Sequence, residues 1–258
     1  MIEFLPVIIL VTSFLVLLTL GVPVAWCIAI SSLFTLMSVM PFSAATTTVS
    51  QRIATGLDSF ALLAIPFFIL SGQIMSEGGI AHRLISFAKT LVGFLPGGLA
   101  LINIVSAMMM GAIAGSAMAS ASAMGTILGP EMEKEGYSKE FGAAVNITSS
   151  TTGLVIPPSN TLIVYSLASG GVSIAALFLA GYIPGILTGL LMMIVAMVWA
   201  KKHKYPVGKR SSLKEVFTKF IDALPSLLLL IIVIGGIIGG VFTATEASAV
   251  AVLYTILL

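Results

Sequence analysis

The sequence predicts an all-α polytopic membrane protein, and three observations carry that prediction. Apolar residues fill 58% of the 258 positions and charged residues only 9%, giving a mean hydropathy of +1.15. A soluble domain carries about 25% charged residues. Apolar segments recur at 4–20, 24–42, 57–76, 97–130, 141–168, 173–200, 223–242 and 247–258, most of them long enough for a helical span. Charge is confined to short patches between those segments.

The first run follows Met1-Ile-Glu-Phe-Leu-Pro, which lacks the basic stretch of a secretory leader, so it is expected to be a retained span. Cys27 stands alone in an apolar run and reads as a small packing residue. Arg52 is the only one of twelve Lys and Arg residues outside three patches: one around Arg83 and Lys89, one at 131–140, and one at 201–219. The positive-inside rule puts all three patches on the cytoplasmic side.

That placement constrains the topology. Residues 97–130 have cytoplasmic flanks on both sides, yet two crossings need about 20 residues each plus a turn. A re-entrant helical hairpin fits this length, with its tip in the small-residue stretch 111–120, where backbones can approach closely. Two short, tilted spans are the alternative. Segment 141–168 then runs outward and 173–200 returns. Counting backwards, 57–76 runs inward, 24–42 outward and 4–20 inward, which leaves the N-terminus, with Glu3, outside.

An internal repeat agrees with this count. Ile2-Glu3-Phe4-Leu5-Pro6 resembles Ile221-Asp222-Ala223-Leu224-Pro225, and Gly-Val follows each proline 15 residues on. An odd number of crossings separates the copies, as in the inverted-topology repeats of secondary transporters. The second copy is expected to be incomplete here, with the natural protein continuing beyond residue 258.

The stretch 149–160, Ser-Ser-Thr-Thr-Gly-Leu-Val-Ile-Pro-Pro-Ser-Asn, predicts a break in a transmembrane helix. Pro157 and Pro158 have no N–H to donate and disfavour helix in the residue before each. The break is expected between Gly153 and Ser159, with helix resuming at Asn160. It would free carbonyls at one pole and N–H groups at the other, which suit a cation and an anion respectively. The hydroxyls of Ser149 to Thr152 suit a hard cation such as Na⁺. The other reading is a proline kink patched by Ser and Thr back-bonding.

Few other residues offer chemistry. Asp58 reads as a helix cap in Asp-Ser-Phe, and Glu246 as a cap after Thr243 or as part of a site completed elsewhere. His82 and His203 sit in charged loops. No HExxH, CxxC, P-loop or GxGxxG pattern is present, and Ser116 has no neighbouring base in the sequence to activate it. The chain reads as no enzyme. Residues 78–95 and 213–220 read as amphipathic interfacial helices.

Longer motifs carry a family resemblance. The stretch beginning "GLDSFALLAIPFFILSGQIMSEGG" (56–104), "GAIAGSAMASASAMGTILGPEMEKEGYSKEFGAAV" (111–145), "GLVIPPSNTLIVY" (153–165) and "GYIPGIL" (181–187) resemble the large membrane subunit of TRAP transporters, the DctM-type permease. The resemblance covers essentially the whole chain. It implies an elevator-type transporter in the bacterial inner membrane that imports an organic acid by sodium symport. It also implies a small DctQ-type membrane subunit and a periplasmic DctP-type binding protein as partners. Carried over residue by residue, it places a sodium site near Gly111, Ala114, Gly153, Ile156 and Pro157, and substrate near Ser116, Ser150 and Asn160. Relatives often carry Ser where this chain has Ala114. Pro-Pro-Ser-Asn resembles the sialic-acid branch, and C4-dicarboxylates are the other substrate class implied. The corresponding domains are 1–96 as scaffold with an interfacial arm, and 97–200 as half of a transport domain (hairpin 97–130, broken helix 139–168, helix 173–200). Residues 201–258 would be a loop, an interfacial helix and the start of second-repeat scaffold. Rival readings are a sodium–carboxylate transporter that needs no binding protein and a non-transporting scaffold subunit.

Overall fold

A computed structural model describes residues 4–258, and all of its regular elements within that range are helical. Glu3 and the first residues of the repeat's first copy lie outside the described range. The chain divides into two compact units, Met1–Ser59 and Phe60–Leu258.

The first unit holds three helices: α1 (Leu5–Thr19), α2 (Val24–Met37) and α3 (Phe42–Leu57). Pro6 opens α1 near its first turn, where the missing N–H costs nothing. The sequence assigns no element to 43–56, yet these residues are helical. Asp58 is at the C-terminal end of α3 and caps no helix start with its side chain, contrary to the expectation. The preceding sixteen residues simply continue as helix until Asp58 ends them.

The second unit runs through α4 (Ala64–Glu77), α5 (Ile80–Val92), α6 (Gly98–Ala114), α7 (Ala117–Lys134), α8 (Lys139–Ser150), α9 (Asn160–Ala168), α10 (Ile174–His203), α11 (Leu213–Ile238) and α12 (Ala244–Leu257). Phe60–Glu77, Ile174–His203 and Leu213–Ile238 are long and apolar enough to cross a membrane. Hydroxyls start most of the later helices. Ser116, Ser138, Ser159, Ser173 and Ser212 each accept an N–H from the first turn of the helix they precede. Thr243 and Glu246 form a reciprocal capping box on α12, as the capping reading of Glu246 expects.

Helices α6 and α7 form the hairpin. Their 17 and 18 residues each span about 25 Å, short of the roughly 30 Å hydrocarbon core. Ser120 Oγ on α7 donates to Ala107 O on α6 at 3.1 Å and ties the arms together. The α6 arm is buried along almost its whole length. Helix α4 packs on it, and α12 packs on α4. Thr245 Oγ1 donates to Phe60 O at 2.9 Å across that second contact.

Amphipathic α5 forms as expected, with Ile80, Leu84, Ile85 and Ala88 buried. Residues 213–220 do not form a separate short helix. They are the first turns of α11, which continues through Pro225. One side of that helix stays buried from Ala223 to Ile237, and no glycine interrupts it before Gly235. At the base of the hairpin, Tyr137, Phe141, Trp199, His203 and Tyr205 stack on one another, with Tyr137 and Tyr205 centroids 4.3 Å apart. Such a ring cluster beside charged residues belongs at a membrane interface. Burial there pushes the Tyr137 phenol up to about 12.

Candidate functional site

The break in 139–168 is present where proline chemistry places it. Helix α8 stops at Ser150, a short 3-10 turn covers Thr151–Leu154, and α9 starts at Asn160 with Ser159 as its cap. The Pro157–Pro158 peptide is cis. In a helix, N–H groups at positions 157 and 158 would donate to the carbonyls of Gly153 and Leu154, but the two prolines have none. The hydroxyl of Ser159 substitutes for one of these by donating to Leu154 O at 2.6 Å. Among the described residues, no backbone N–H reaches the carbonyls of Val155, Ile156, Pro157 or Pro158. Ile156, Pro157, Pro158 and Ser159 are nevertheless buried. Buried, unbonded main-chain oxygens are costly in an apolar surrounding.

The hydroxyls before the break give their protons to their own helix, which leaves their oxygen lone pairs free. Ser150 Oγ donates to Asn146 O at 2.7 Å, Thr151 to Thr148 O at 2.7 Å, and Thr152 to Ser149 O at 2.6 Å. They patch the end of α8, as in the back-bonding reading.

The hairpin tip lies directly against this break. A Cβ placed on Gly111 would lie 2.5 Å from Gly153 Cα, so only glycine backbones allow the approach. Gly115 turns the tip at φ +60° and its carbonyl accepts from Asn160 N at 3.3 Å. A Cβ on Gly115 would lie 2.9 Å from Pro158 O. The structure thus brings Gly111 and Ser116 against Gly153, and Gly115 against Asn160. Ala114 is fully buried beneath Gly72 of α4. Ser150 faces its own helix backbone. Asn160 Oδ1 is buried without a hydrogen-bond partner.

Electrostatically the junction has two signs. Helices α6 and α8 end here and bring their carbonyl poles; α7 and α9 begin here and bring their N–H poles. The described residues contain no cluster of three His, Cys, Asp or Glu side chains, so a cation at this junction would be held by neutral oxygens. Unbonded carbonyls suit a hard monovalent cation.

Sequence reading missed what supports the break from behind. Gly181, Gly185 and Gly189 lie in one buried line on α10. A side chain at Gly181 would collide with Val155 O, at Gly185 with Ile156, and at Gly189 with Met108 of α6. The every-fourth-residue glycine spacing was the available signal.

A family model described as "Tripartite ATP-independent periplasmic transporter, DctM component" matches residues 11–258. The chain belongs to this family. As a DctM-family member with long apolar helices, it is an integral membrane protein. The protein named Uncharacterized protein YgiK, from Salmonella typhimurium, is 57% identical over 253 residues, covering 98% of this chain and 58% of that protein. The C4-dicarboxylate TRAP transporter large permease protein DctM of Vibrio cholerae is 42% identical over 236 residues, covering 91% and 51%. The isethionate TRAP transporter permease protein DctMQ of Oleidesulfovibrio alaskensis is 38% identical over 256 residues, covering 98% and 40%. The chain spans about half the length of the curated relatives it matches. The latter two are named as transport permeases and not as enzymes.

Proposed function

We propose that this DctM-family chain works in the large permease of a sodium-driven, binding-protein-dependent importer of an organic acid in the bacterial inner membrane. The observation that carries the reading is the Gly111–Gly153 contact, which sets a hairpin tip against a break whose carbonyls have no main-chain donor. Oxygens at Gly111, Ala114, Gly153, Ile156 and Pro157 hold Na⁺. Bound Na⁺ stabilises the tip against the break and pre-organises the junction. The N-terminal poles of α7 and α9, with Ser116 and Asn160, then receive the acidic group of the substrate, while Ser150, its proton held by Asn146 O, packs behind them.

The substrate is a small organic anion. The names of the relatives include a C4-dicarboxylate and isethionate, which differ in acid group but share a negative charge; sialic acid is a further candidate. The protein works with a small membrane subunit and a periplasmic binding protein, and the fused name DctMQ of one relative supports the first of these. Residues 97–200 move as part of an elevator. Residues 1–96 and 201–258 belong to scaffold, arm and connecting loop, with the N-terminus on the periplasmic side.

The test is uptake of candidate organic acids by the complete permease with both partners in proteoliposomes. Uptake that needs an inward sodium gradient and the binding protein is the expected result. Uptake without the binding protein supports a binding-protein-independent carboxylate transporter. Absence of uptake for every organic anion, with or without sodium, overturns the reading.

A further inference from the structure

A second polar feature lies at the base of the hairpin. A cavity of about 300 Å³ opens between α7 and α8 and reaches Asn103 on α6. Glu133 and Lys139 line it and pair at 3.5 Å, with both side chains largely exposed. At the other end lie two amides, Asn103 and Asn146. Ser149 Oγ lies 3.2 Å both from Asn103 Oδ1 and from Asn146 O, and one polar atom of the Asn103 amide is left without a partner. Asn146 Nδ2 donates to Ala121 O at 2.9 Å, which leaves Oδ1 as an acceptor without a partner. Asn103 is only 1% exposed.

Each of two amides beside one cavity therefore has one unpaired polar atom. Water satisfies both, and the cavity has the volume and polar partners that stable internal water requires. The polar atoms continue inward. Ser106, fully buried on the next turn of α6, has an unpartnered hydroxyl. Ser149 O accepts from Thr152 Oγ1 at 2.6 Å, and Thr152 precedes Gly153 at the junction.

We propose that this cavity is a water-filled inlet from the charged 131–139 side, and that the Asn103–Ser149–Thr152 track carries hydration, and the released cation, between that side and the hairpin–break junction. The cation part rests on the sodium reading above; the hydration does not.

Thiol labelling tests it in the complete permease with its partner subunits, in oriented vesicles and on a Cys27→Ser background. Gly142→Cys reports on the cavity, because a Cβ there meets nothing closer than Met132 Cε at 3.8 Å. Ser106→Cys reports on the inner track. The probe is an impermeant trimethylammonium methanethiosulfonate. Thiols ionise and react where water reaches them. Both reporters are expected to label from the face bearing the basic loops, about tenfold or more faster than the buried native Cys27. Labelling of either reporter at the slow Cys27 rate, or faster labelling from the opposite face, overturns the inlet. Asn103→Leu with Asn146→Leu is expected to slow Ser106→Cys labelling about tenfold while Gly142→Cys still reacts. Unchanged Ser106→Cys labelling overturns the role of the two amides. The same pair of substitutions is expected to slow sodium-driven uptake while leaving the sodium concentration for half-maximal thermal stabilisation within about twofold. If sodium does not stabilise the unsubstituted permease but both reporters label, the sodium reading fails and the inlet stands.

Discussion

Pro157–Pro158, between α8 and α9, and the prolines within α10 and α11 have opposite results. Pro184 sits inside a continuous 30-residue helix and Pro225 inside a continuous 26-residue helix. Each removes one N–H, and the helix carries on past it. The pair at 157–158 removes two successive donors, follows Gly153, and precedes Ser159, which caps a new helix. Surroundings differ as much as sequence. Pro184 O accepts from Thr188 and Pro225 O from Tyr254 Oη, at 2.7 and 2.8 Å. The carbonyls of Pro157 and Pro158 receive no donor, and a glycine tip lies against the segment. A proline in a membrane helix is therefore no sign of a site by itself. A break becomes one when its freed oxygens stay unpaired and a second element closes on them.

Substitutions can break that contrast, beginning with the largest expected effect. Gly153→Val forces side-chain atoms into the Gly111 backbone. Overpacking of this kind costs about 1–3 kcal/mol, which is about 5- to 150-fold in the population of the closed junction. Sodium-driven uptake should fall accordingly, whereas Gly129→Ala, with open space around its Cβ, should stay within about twofold. Next is Gly181→Ala, which pushes on the Val155 carbonyl and not on a flexible side chain. It should weaken uptake more than Gly189→Ala, which meets only the movable end of Met108. Replacing Pro157 and Pro158 together by Ala restores two donors, so the rise in melting temperature given by sodium over potassium should shrink. Pro184→Ala or Pro225→Ala should leave that rise unchanged and alter stability by about 1 kcal/mol at most. Smallest of all, Ser173→Ala removes the cap of α10 and should cost about 1 kcal/mol of stability, read as a lower melting temperature with unaltered sodium dependence.

Some of this architecture is written in local chemistry and some is not. The break at 153–159 and its restart at Asn160 follow from two prolines and a serine, whose constraints act within a few residues. The pairing of α6 and α7 was legible from the length of 97–130 and the small residues at its centre, which give two short arms of 17 and 18 residues. Helix α3 was missed because its Ser, Thr, Gln and Arg content suppresses the apolar signal on which the spans were read. The line of Gly181, Gly185 and Gly189 acquires meaning only once Val155, Ile156 and Met108 are known to face it. Asn103 and Asn146 are far apart in the sequence; the fold makes both of them walls of one cavity. Residues 213–220 show the opposite error, where an amphipathic pattern suggested a separate helix and buried packing from Ala223 onward extended it into α11.

Carbonyl-carbon NMR of the complete permease, ¹³C-labelled at proline carbonyls and compared in Na⁺ and K⁺ at equal ionic strength, tests the central claim most directly. A sodium-specific shift at Pro157, with Pro184 and Pro225 unmoved, is the predicted result. Equal spectra in the two salts, or a sodium response at Pro184 and Pro225 as large as that at Pro157, would contradict it.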